Sequence, residues 1–489
     1  MRSCRGNRHL HGRWLVCTGN GGRKGNRVPV SMDALGSVGP IGHLKCGIIG
    51  PATLVLLSVV VHLLFAAVQP TFARDEKIDR SRFTLASSIE QALKRNPDML
   101  ISREGISAAR LNKQGRFTEF LPKLSGSYGY VRLDEERESL PGVIITPQDL
   151  YTFTATVDQP LFTGFSTINE FDIAKLDLQI AEIQAQEVRQ ELVYRVKEAY
   201  YNILQEQNLT MVAEQAVEQL ASQVEQATDF YEVGLIPKND LLESEVELAN
   251  ARLDRVVAQN RVTFAESRFN ILLQRPLDAP VSIERIEKAG PFDKSYQTCV
   301  ELALEQRPEK ELAMLAVQRS QEAVELAKGD YYPAVNLQAN YLKTGDSADV
   351  DGGTGIYDDE EWNFSVTASW TFWEWGRSVY DVREKLRRHA QAQLELKNVK
   401  DRIRREVKDA YLSLREAERN IVTQEKAVEQ AKENFRITKE RFNEQVATST
   451  EVIEAQTLLT RTQNNYYNAL NGYNLSKAAL YRAMGAEVE

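Results

Sequence analysis

Two long stretches without glycine or proline limit what this chain can fold into. Residues 165–233 form one such run of 69 residues, and residues 377–471 form another of 95, whose long helix is expected to end at 442, after 66 residues, because the β-branched and hydroxyl residues at 445–450 are poor helix formers. Because glycine and proline are the usual helix breakers, each run predicts one very long helix. At ~1.5 Å per residue each helix is ~100 Å long, and because both are rich in charge neither is predicted to cross a membrane. Shorter returning helices, predicted at 239–274 and 451–484, would cover part of their apolar stripes.

The chain is internally duplicated at a constant offset of 211 residues. Four elements recur at this offset: Asn96-Pro97-Asp98 with Arg307-Pro308-Glu309, Leu121-Pro122 with Tyr332-Pro333, 196–200 with 407–411, and Asp240 and Glu243 with Glu451 and Glu454. The halves are therefore predicted to be two related units, 84–275 and 296–485, joined by a linker at 276–295. Each unit is predicted to contain short helices, a β-hairpin (121–162 or 332–373) and a helical hairpin (165–275 or 377–484).

The predicted β-hairpins have the patterning of membrane strands. In the clearest strand, predicted from Trp362 to Phe372, large apolar residues alternate with small polar ones. Such alternation over about 9–11 residues is typical of strands that cross an outer membrane at a tilt. A soluble hairpin with one buried face is the alternative. On the membrane interpretation four strands per chain cannot close a barrel, so several chains must share one.

The first 73 residues differ from the rest and are predicted to be a basic extension with a cleaved signal peptide. An apolar run at 48–68 is followed by Thr71-Phe72-Ala73, which suits cleavage after Ala73, and a transmembrane anchor is the alternative. The remaining chain would carry 52 basic and 68 acidic residues, a net charge of −16, which disfavours nucleic-acid binding. Only Cys299 and His389 remain of their types. We therefore predict no enzyme activity, metal site or cofactor.

Several of these features together resemble the TolC-like outer-membrane efflux protein family. They are the Asn-Pro-Asp and Arg-Pro-Glu elements, the Leu-Pro and Tyr-Pro strand entries, the Pro-Leu-Phe-Thr-Gly corner at 160–164 and the two hairpin tips. The resemblance implies a membrane α+β fold in which each chain contributes four transmembrane β-strands to a trimeric twelve-stranded barrel. That barrel would be continuous with a long periplasmic α-helical coiled-coil tunnel.

The resemblance also implies a function and a location. The protein would lie in the outer membrane, extend into the periplasm and give passive export in efflux or type I secretion. Its partners would be two further copies in a homotrimer, a periplasmic adaptor (membrane fusion) protein, an inner-membrane pump or ABC transporter, and outer-membrane lipid. A periplasmic coiled-coil structural or adaptor protein without a pore is the alternative.

In that family the hairpin tips form the periplasmic entrance, and two acidic positions narrow the pore. Those positions match Glu451 and Glu454 here, although an ordinary helix N-terminus also favours acidic residues. The chain departs from the family in the second turn, where Gln445 replaces a frequent glycine and Ala447 an arginine, so the closed state is expected to be held differently. The residues expected at the adaptor-docking tips are Gly234, Leu235, Asp240, Glu243, Val446, Thr448 and Ser449.

Overall fold

A computed structural model describes residues 82–286, 290–356 and 359–486. The predicted basic extension and signal peptide, residues 1–73, lie outside these described residues. Both halves of the predicted repeat lie within the described part of the chain, apart from short gaps. The positions of their helices and strands can therefore be compared directly.

In the first half, local capping signals determine where the short helices begin and end. Thr84 forms a capping box with Ser87 at the start of α1 (Leu85–Arg95), and Asn96 caps α2 (Pro97–Thr118). Pro97 is tolerated at the first position of α2 because its missing N–H would have no intrahelical partner there. The half continues with β1 (Lys123–Arg132), β2 (Arg137–Leu140), β3 (Val143–Thr146), β4 (Asp149–Thr163), α3 (Ser166–Glu232) and α4 (Lys238–Leu272).

The second half repeats this order, except that its described residues have no counterpart of β2 and β3. It contains α5 (Tyr296–Gln306), α6 (Pro308–Lys328), β5 (Ala334–Gly345), β6 (Glu360–Ser369), α7 (Arg377–Asn443) and α8 (Ser449–Ala483). The long helices α3 and α7 have 67 residues each. Helices α2 and α4 both pack along α3, and α6 and α8 both pack along α7. None of the helices in the described ranges is long and apolar enough to span a membrane.

Two details of the strands differ from the sequence-based expectation. A small separate hairpin, β2 with β3, occupies the loop between β1 and β4. Strand β6 ends at Ser369, three residues before the predicted end at Phe372, because its neighbour β5 begins at Ala334, directly opposite Ser369. Residues 370–373 therefore have no strand partner among the described residues.

The four long strands form one antiparallel sheet in the order β1-β4-β5-β6. Leu124 pairs with Val157 in the first hairpin and Val335 with Ala368 in the second, so the two hairpins share one register at the 211-residue offset. One face is largely apolar and the other is polar. On the polar face a hydrogen-bonded row crosses the sheet, in which Thr156 Oγ1 lies 2.8 Å from Asn340 Oδ1 and Asn340 Nδ2 lies 3.0 Å from Asn363 Oδ1.

The core of each half forms where the middle of a long helix meets the end of its returning helix. In the first half, Leu192, Val196 and Tyr200 are fully buried against Phe269 of α4. The Tyr200 hydroxyl lies 2.7 Å from the carbonyl oxygen of Glu284 and 3.1 Å from that of Phe83. Burial raises the pKa of Tyr200 to about 12. In the second half the matching cluster includes Val407, Leu414, Tyr473 and Leu480.

Four pairs of residues at the 211-residue offset share a left-handed backbone conformation. Each pair contains one glycine and one larger residue, so the duplication preserves the turn but not the residue best suited to it. The pairs, with their φ angles, are Gly164 (62°) and Trp375 (58°), Phe165 (69°) and Gly376 (87°), Gly234 (78°) and Gln445 (60°), and Gln274 (54°) and Gly485 (73°).

A buried ion network lies at the start of α6. Arg307 is nearly fully buried and forms ion pairs with Glu309 and with Glu406 of α7. Burial by itself would raise the pKa of Glu309, but the hydrogen bond and charge of Arg307 outweigh it and hold that pKa below its usual value. Two further ion pairs, Arg319–Asp177 at 2.6 Å and Arg482–Glu191 at 2.7 Å, join the second half to α3.

Candidate functional site at the hairpin tips

The two hairpin tips have the same backbone geometry. In the first turn the N–H of Leu235 bonds to the carbonyl of Phe230 at 2.8 Å, and in the second the N–H of Val446 bonds to that of Arg441 at 2.8 Å. Both turns have this bond between residues five apart, typical of a Schellman motif, and their left-handed residues are Gly234 and Gln445. The second tip thus forms the turn without the glycine found in the first.

Several residues expected at the docking tips are exposed. Leu235 is 50% exposed, and Val446, which stands at the equivalent position of the second turn, is 64% exposed. Gly234 and Thr448 are also exposed, whereas Asp240 is half-buried in the first turn of α4. The tips therefore present equivalent apolar side chains close to acidic helix N-termini.

The carboxylate of Glu451 contacts two neighbouring residues, Thr448 and Arg441. Its Oε1 accepts a hydrogen bond from the N–H of Thr448 at 3.3 Å, and Thr448 Oγ1 accepts one from the N–H of Glu451, which completes a capping box. Its Oε2 lies 3.4 Å from Arg441 Nη1, and Arg441 also donates to the carbonyl of Val446 at 3.1 Å. The Glu451 carboxylate therefore stabilises the start of α8 as well as placing charge at the tip.

Glu454 is placed differently. It is exposed one turn further along α8 and makes no hydrogen bond or ion pair with any described residue. The carboxylates of Glu451 and Glu454 therefore differ in how far neighbouring groups bind them. Glu454 presents an uncompensated charge, whereas the charge of Glu451 is partly balanced by Arg441.

The two tips contact one another directly. Ser449 Oγ lies 2.7 Å from Ser244 Oγ, and it accepts a hydrogen bond from Gln223 Nε2 at 3.4 Å. Ser244 and Ser449 both have 0% exposure. Beside them, Thr450 Oγ1 donates to Glu243 at 2.9 Å. These contacts connect the N-termini of α4 and α8, although the residues are more than 200 positions apart in sequence.

This contact corrects the expectation for Ser449, which was placed among the docking residues. Within the chain Ser449 has no exposed surface because its hydroxyl faces Ser244 and Gln223. Ser449 therefore joins the two hairpins and is not available on the surface of the tip. Glu243, also expected at the docking surface, is exposed but already accepts the bond from Thr450.

Sequence reasoning missed four contributors to the tip. Arg441 brings an arginine side chain to the second turn, where Ala447 stands in place of the family's arginine, and its local signal is a basic residue in the last turn of a helix. Ser244 and Gln223 carry no signal of their own, because small polar residues on a helix usually face solvent. Phe442 is nearly fully buried, and its ring centroid lies 5.4 Å from that of Phe230.

The sheet with one apolar face, the paired long helices and the internal duplication together define an outer-membrane channel subunit. The family model described as "Outer membrane efflux protein" matches residues 88–273 and 299–486, one segment in each half. The chain belongs to this family. Membership does not favour the alternative of a periplasmic coiled-coil protein without a pore.

Named relatives agree with this assignment. The outer membrane efflux protein BepC of Brucella suis biovar 1 is 22% identical over 406 residues, 82% of this chain and 85% of BepC. The outer membrane protein TolC of Vibrio cholerae is 24% identical over 411 residues, 82% of this chain and 90% of TolC. The crystal structure of the Campylobacter jejuni CmeC outer membrane channel is 16% identical and superposes with a TM-score of 0.73, covering 82% of this chain and 85% of CmeC.

These findings confirm the predicted fold class and location. The fold is that of outer-membrane channels, a barrel with four strands from each chain continuous with a long helical tunnel. The location is the outer membrane, with the helical part extending into the periplasm.

Proposed function

We propose that this protein is the channel through which an inner-membrane pump or ABC transporter, joined by a periplasmic adaptor, exports substrates to the cell exterior. The channel conducts passively, and the energy comes from the transporter. One observation carries the proposal: the four-stranded sheet has two unpaired edges and continues into helices of ~100 Å, the length needed to reach far into the periplasm. Efflux and type I secretion both use this arrangement.

The unpaired edges of the sheet and the exposed apolar surfaces of the helices support a homotrimer. Strands β1 and β6 are the edge strands of the sheet, and an unpaired edge is not tolerated in lipid. Exposed apolar residues line the helices on both sides, with Ile101, Leu253 and Phe264 on α2 and α4, and Tyr380 and Leu394 on α7. Contact between two different surfaces of identical chains is head-to-tail, and it gives a closed ring where the rotation from chain to chain closes. Three chains supply an even, closed set of twelve strands.

The hairpin tips then form the periplasmic entrance. Three copies of Glu454 place a ring of uncompensated carboxylates there, which favours cations and repels anions. Glu451 contributes less to this field because Arg441 lies 3.4 Å from its carboxylate. The contact between Ser244 and Ser449 holds the two tips of each chain together, and opening requires the second hairpin to move away from the first.

The adaptor docks on the exposed parts of the same tips. The surface comprises Gly234, Leu235, Asp240, Glu243, Val446 and Thr448. Leu235 and Val446 lie at equivalent positions, so a trimer presents six apolar side chains at nearly regular spacing. An adaptor with repeated apolar contacts would recognise both tips of every chain in the same way.

The purified protein in a planar lipid bilayer tests the proposal. We expect discrete cation-selective conductance, and we expect Glu454→Gln to lower cation selectivity more than Glu451→Gln does. The isosteric change removes charge at both positions, so each variant is the matched control of the other. No conductance from a folded trimer would refute the channel, and equal selectivity in wild type and both variants would refute the acidic ring.

A further inference from the structure

The second β-hairpin has one charged residue on its polar face. This face comprises the even-numbered residues 336–344 of β5 and the odd-numbered residues 361–369 of β6, and within this set only Glu361 is ionisable. Glu361 is the second residue of β6, just after the loop that joins β5 to β6. That loop lies at the end of the sheet away from the long helices, so Glu361 lies near the extracellular end.

The carboxylate of Glu361 has no counter-charge. The residue directly opposite on β5 is Leu342, and Glu361 is exposed and makes no hydrogen bond or ion pair with any described residue. The preceding residue, Glu360, differs in both respects. Because successive side chains of a strand point to opposite faces, Glu360 lies on the apolar face, where it forms an ion pair with Lys343 at 2.8 Å.

The first β-hairpin does not offset this charge. The charged residues on its polar face are Lys123 and Asp158, which lie directly opposite each other at the periplasmic end of β1 and β4. Asp158 also accepts a hydrogen bond from Asn336 Nδ2 at 2.6 Å. The position 211 residues before Glu361 is Leu150, so the duplication does not repeat the carboxylate. Each chain therefore brings one uncompensated charge to the extracellular part of this face.

We propose that Glu361 is a selectivity-determining residue of the channel, and that three copies form an anionic ring inside the extracellular end of the barrel. This inference rests on the proposed trimeric channel, in which the apolar face of the sheet contacts lipid and the polar face lines the pore. Such a ring favours cationic solutes and disfavours anionic ones at the exit. The channel then selects by charge at two places, with Glu454 at the entrance and Glu361 at the exit.

The size of the barrel sets the conditions under which this ring acts. Twelve strands about 4.8 Å apart and tilted by about 40° give a radius of about 12 Å, so the three carboxylates are about 20 Å apart. The Debye length is about 10 Å at 0.1 M salt and about 30 Å at 0.01 M. The three charges therefore act together at low ionic strength and are screened from one another at high ionic strength.

Ser365 is a suitable position for measuring the field of the ring. It lies on the same face of β6, four residues or about 13 Å further from the extracellular end. At that distance, in water at about 0.01 M salt, the three charges should raise the local ratio of monovalent cations to monovalent anions by about threefold. A cysteine placed there reports this ratio through its reactivity.

The experiment labels Ser365→Cys in the full chain, in intact cells suspended in sucrose at about 0.01 M salt. Two thiol-specific methanethiosulfonate reagents, one cationic and one anionic, are added from outside. We expect Glu361→Gln to lower the ratio of the cationic to the anionic labelling rate by about threefold, and to have no effect at about 1 M salt, where the Debye length is about 3 Å. The wild type, whose Cys299 is buried, gives the background.

Glu360→Gln is the matched control, because it removes the neighbouring carboxylate from the opposite face of the same strand. It should leave the labelling ratio unchanged, and a native gel checks that each variant still forms trimers. The acidic residues of the loop between β5 and β6 are present in both variants, so they cannot account for a difference between them.

An unchanged ratio in Glu361→Gln, or an equal change in Glu360→Gln, would overturn the role of Glu361 and leave the channel in place. No labelling of Ser365→Cys by either reagent, in a protein that reaches the outer membrane as a trimer, would instead overturn the channel itself. The polar face would then not line a water-filled pore. The two failures are therefore distinguishable, since only the first still shows labelling from outside.

Discussion

The contact between Ser244 and Ser449 predicts that the two tips of each chain are energetically coupled. Both hydroxyls have 0% exposure and lie 2.7 Å apart, and Ser449 also accepts a hydrogen bond from Gln223. Removal of a buried hydrogen-bond partner costs about 1–3 kcal/mol, and the bond itself contributes about 1 kcal/mol. If the three chains open together, loss of the bond in each chain amounts to about 3 kcal/mol. Since 1.4 kcal/mol is tenfold, Ser449→Ala should shift the ratio of closed to open channels by about 100-fold.

Single-channel recording measures this ratio directly in the wild type, in Ser244→Ala, in Ser449→Ala and in the double variant. The coupling energy is the departure of the double variant from the sum of the single variants. Ser222→Ala, on the exposed side of α3 next to Gln223, is the matched control and should leave the ratio unchanged. Additive single effects, or an effect of Ser449→Ala no larger than that of Ser222→Ala, would refute the tip contact as a determinant of closure.

Three further predictions concern stability. Gly485 has a φ of 73°, and an added Cβ would lie 2.9 Å from the backbone at the end of α5, so Gly485→Ala should lower the melting temperature. Gly472 lies inside α8 with open space around it, so Gly472→Ala should raise the free energy of unfolding by about 0.5–1 kcal/mol. Arg307 holds the pKa of Glu309 below 4.5, so the ionised Glu309 should contribute its full stabilisation above pH 4.5 and lose it as pH falls through the lowered pKa. Glu309→Gln should therefore remove this pH-dependent loss of stability from an acid-unfolding profile. Tyr200→Phe should cost about 1–2 kcal/mol in denaturant unfolding, because it removes the hydroxyl that donates to the carbonyl oxygen of Glu284, whereas the carbonyl oxygen of Phe83 keeps its bond from the N–H of Glu284.

The long helices and the duplication could be read from the sequence because both are local or periodic signals. The absence of glycine and proline over 165–233 and 377–442 predicts helices whose observed bounds differ by only one residue. The end of β6 could not be predicted from the alternating pattern of its own residues alone. Alternation continues to Phe372, but a strand also needs a neighbour, and β5 begins opposite Ser369.

The candidate site was only partly predictable. The positions of the tips and their acidic residues follow from the repeat, whereas the N-cap of α8 is Thr448 and not the neighbouring Ser449 or Thr450, which are capping residues of the same kind. The pairing of Glu451 with Arg441 and the burial of Ser449 could not be predicted, because both depend on the path of the chain through the turn and on how α4 packs beside α8.

The sequence by itself determined the type and length of the main elements, their duplication and the family. Backbone preferences and hydrophobic periods act over a few residues, so they can be read one segment at a time. Only the tertiary structure decided that Gln445 adopts the left-handed turn that Gly234 adopts in the other half, and that the two tips meet at Ser244 and Ser449. The reason is physical: the path of the chain closes the turn at Gln445 through the bond from Val446 to Arg441, and packing between the hairpins makes the serine contact, so neither feature depends on a local preference of those residues.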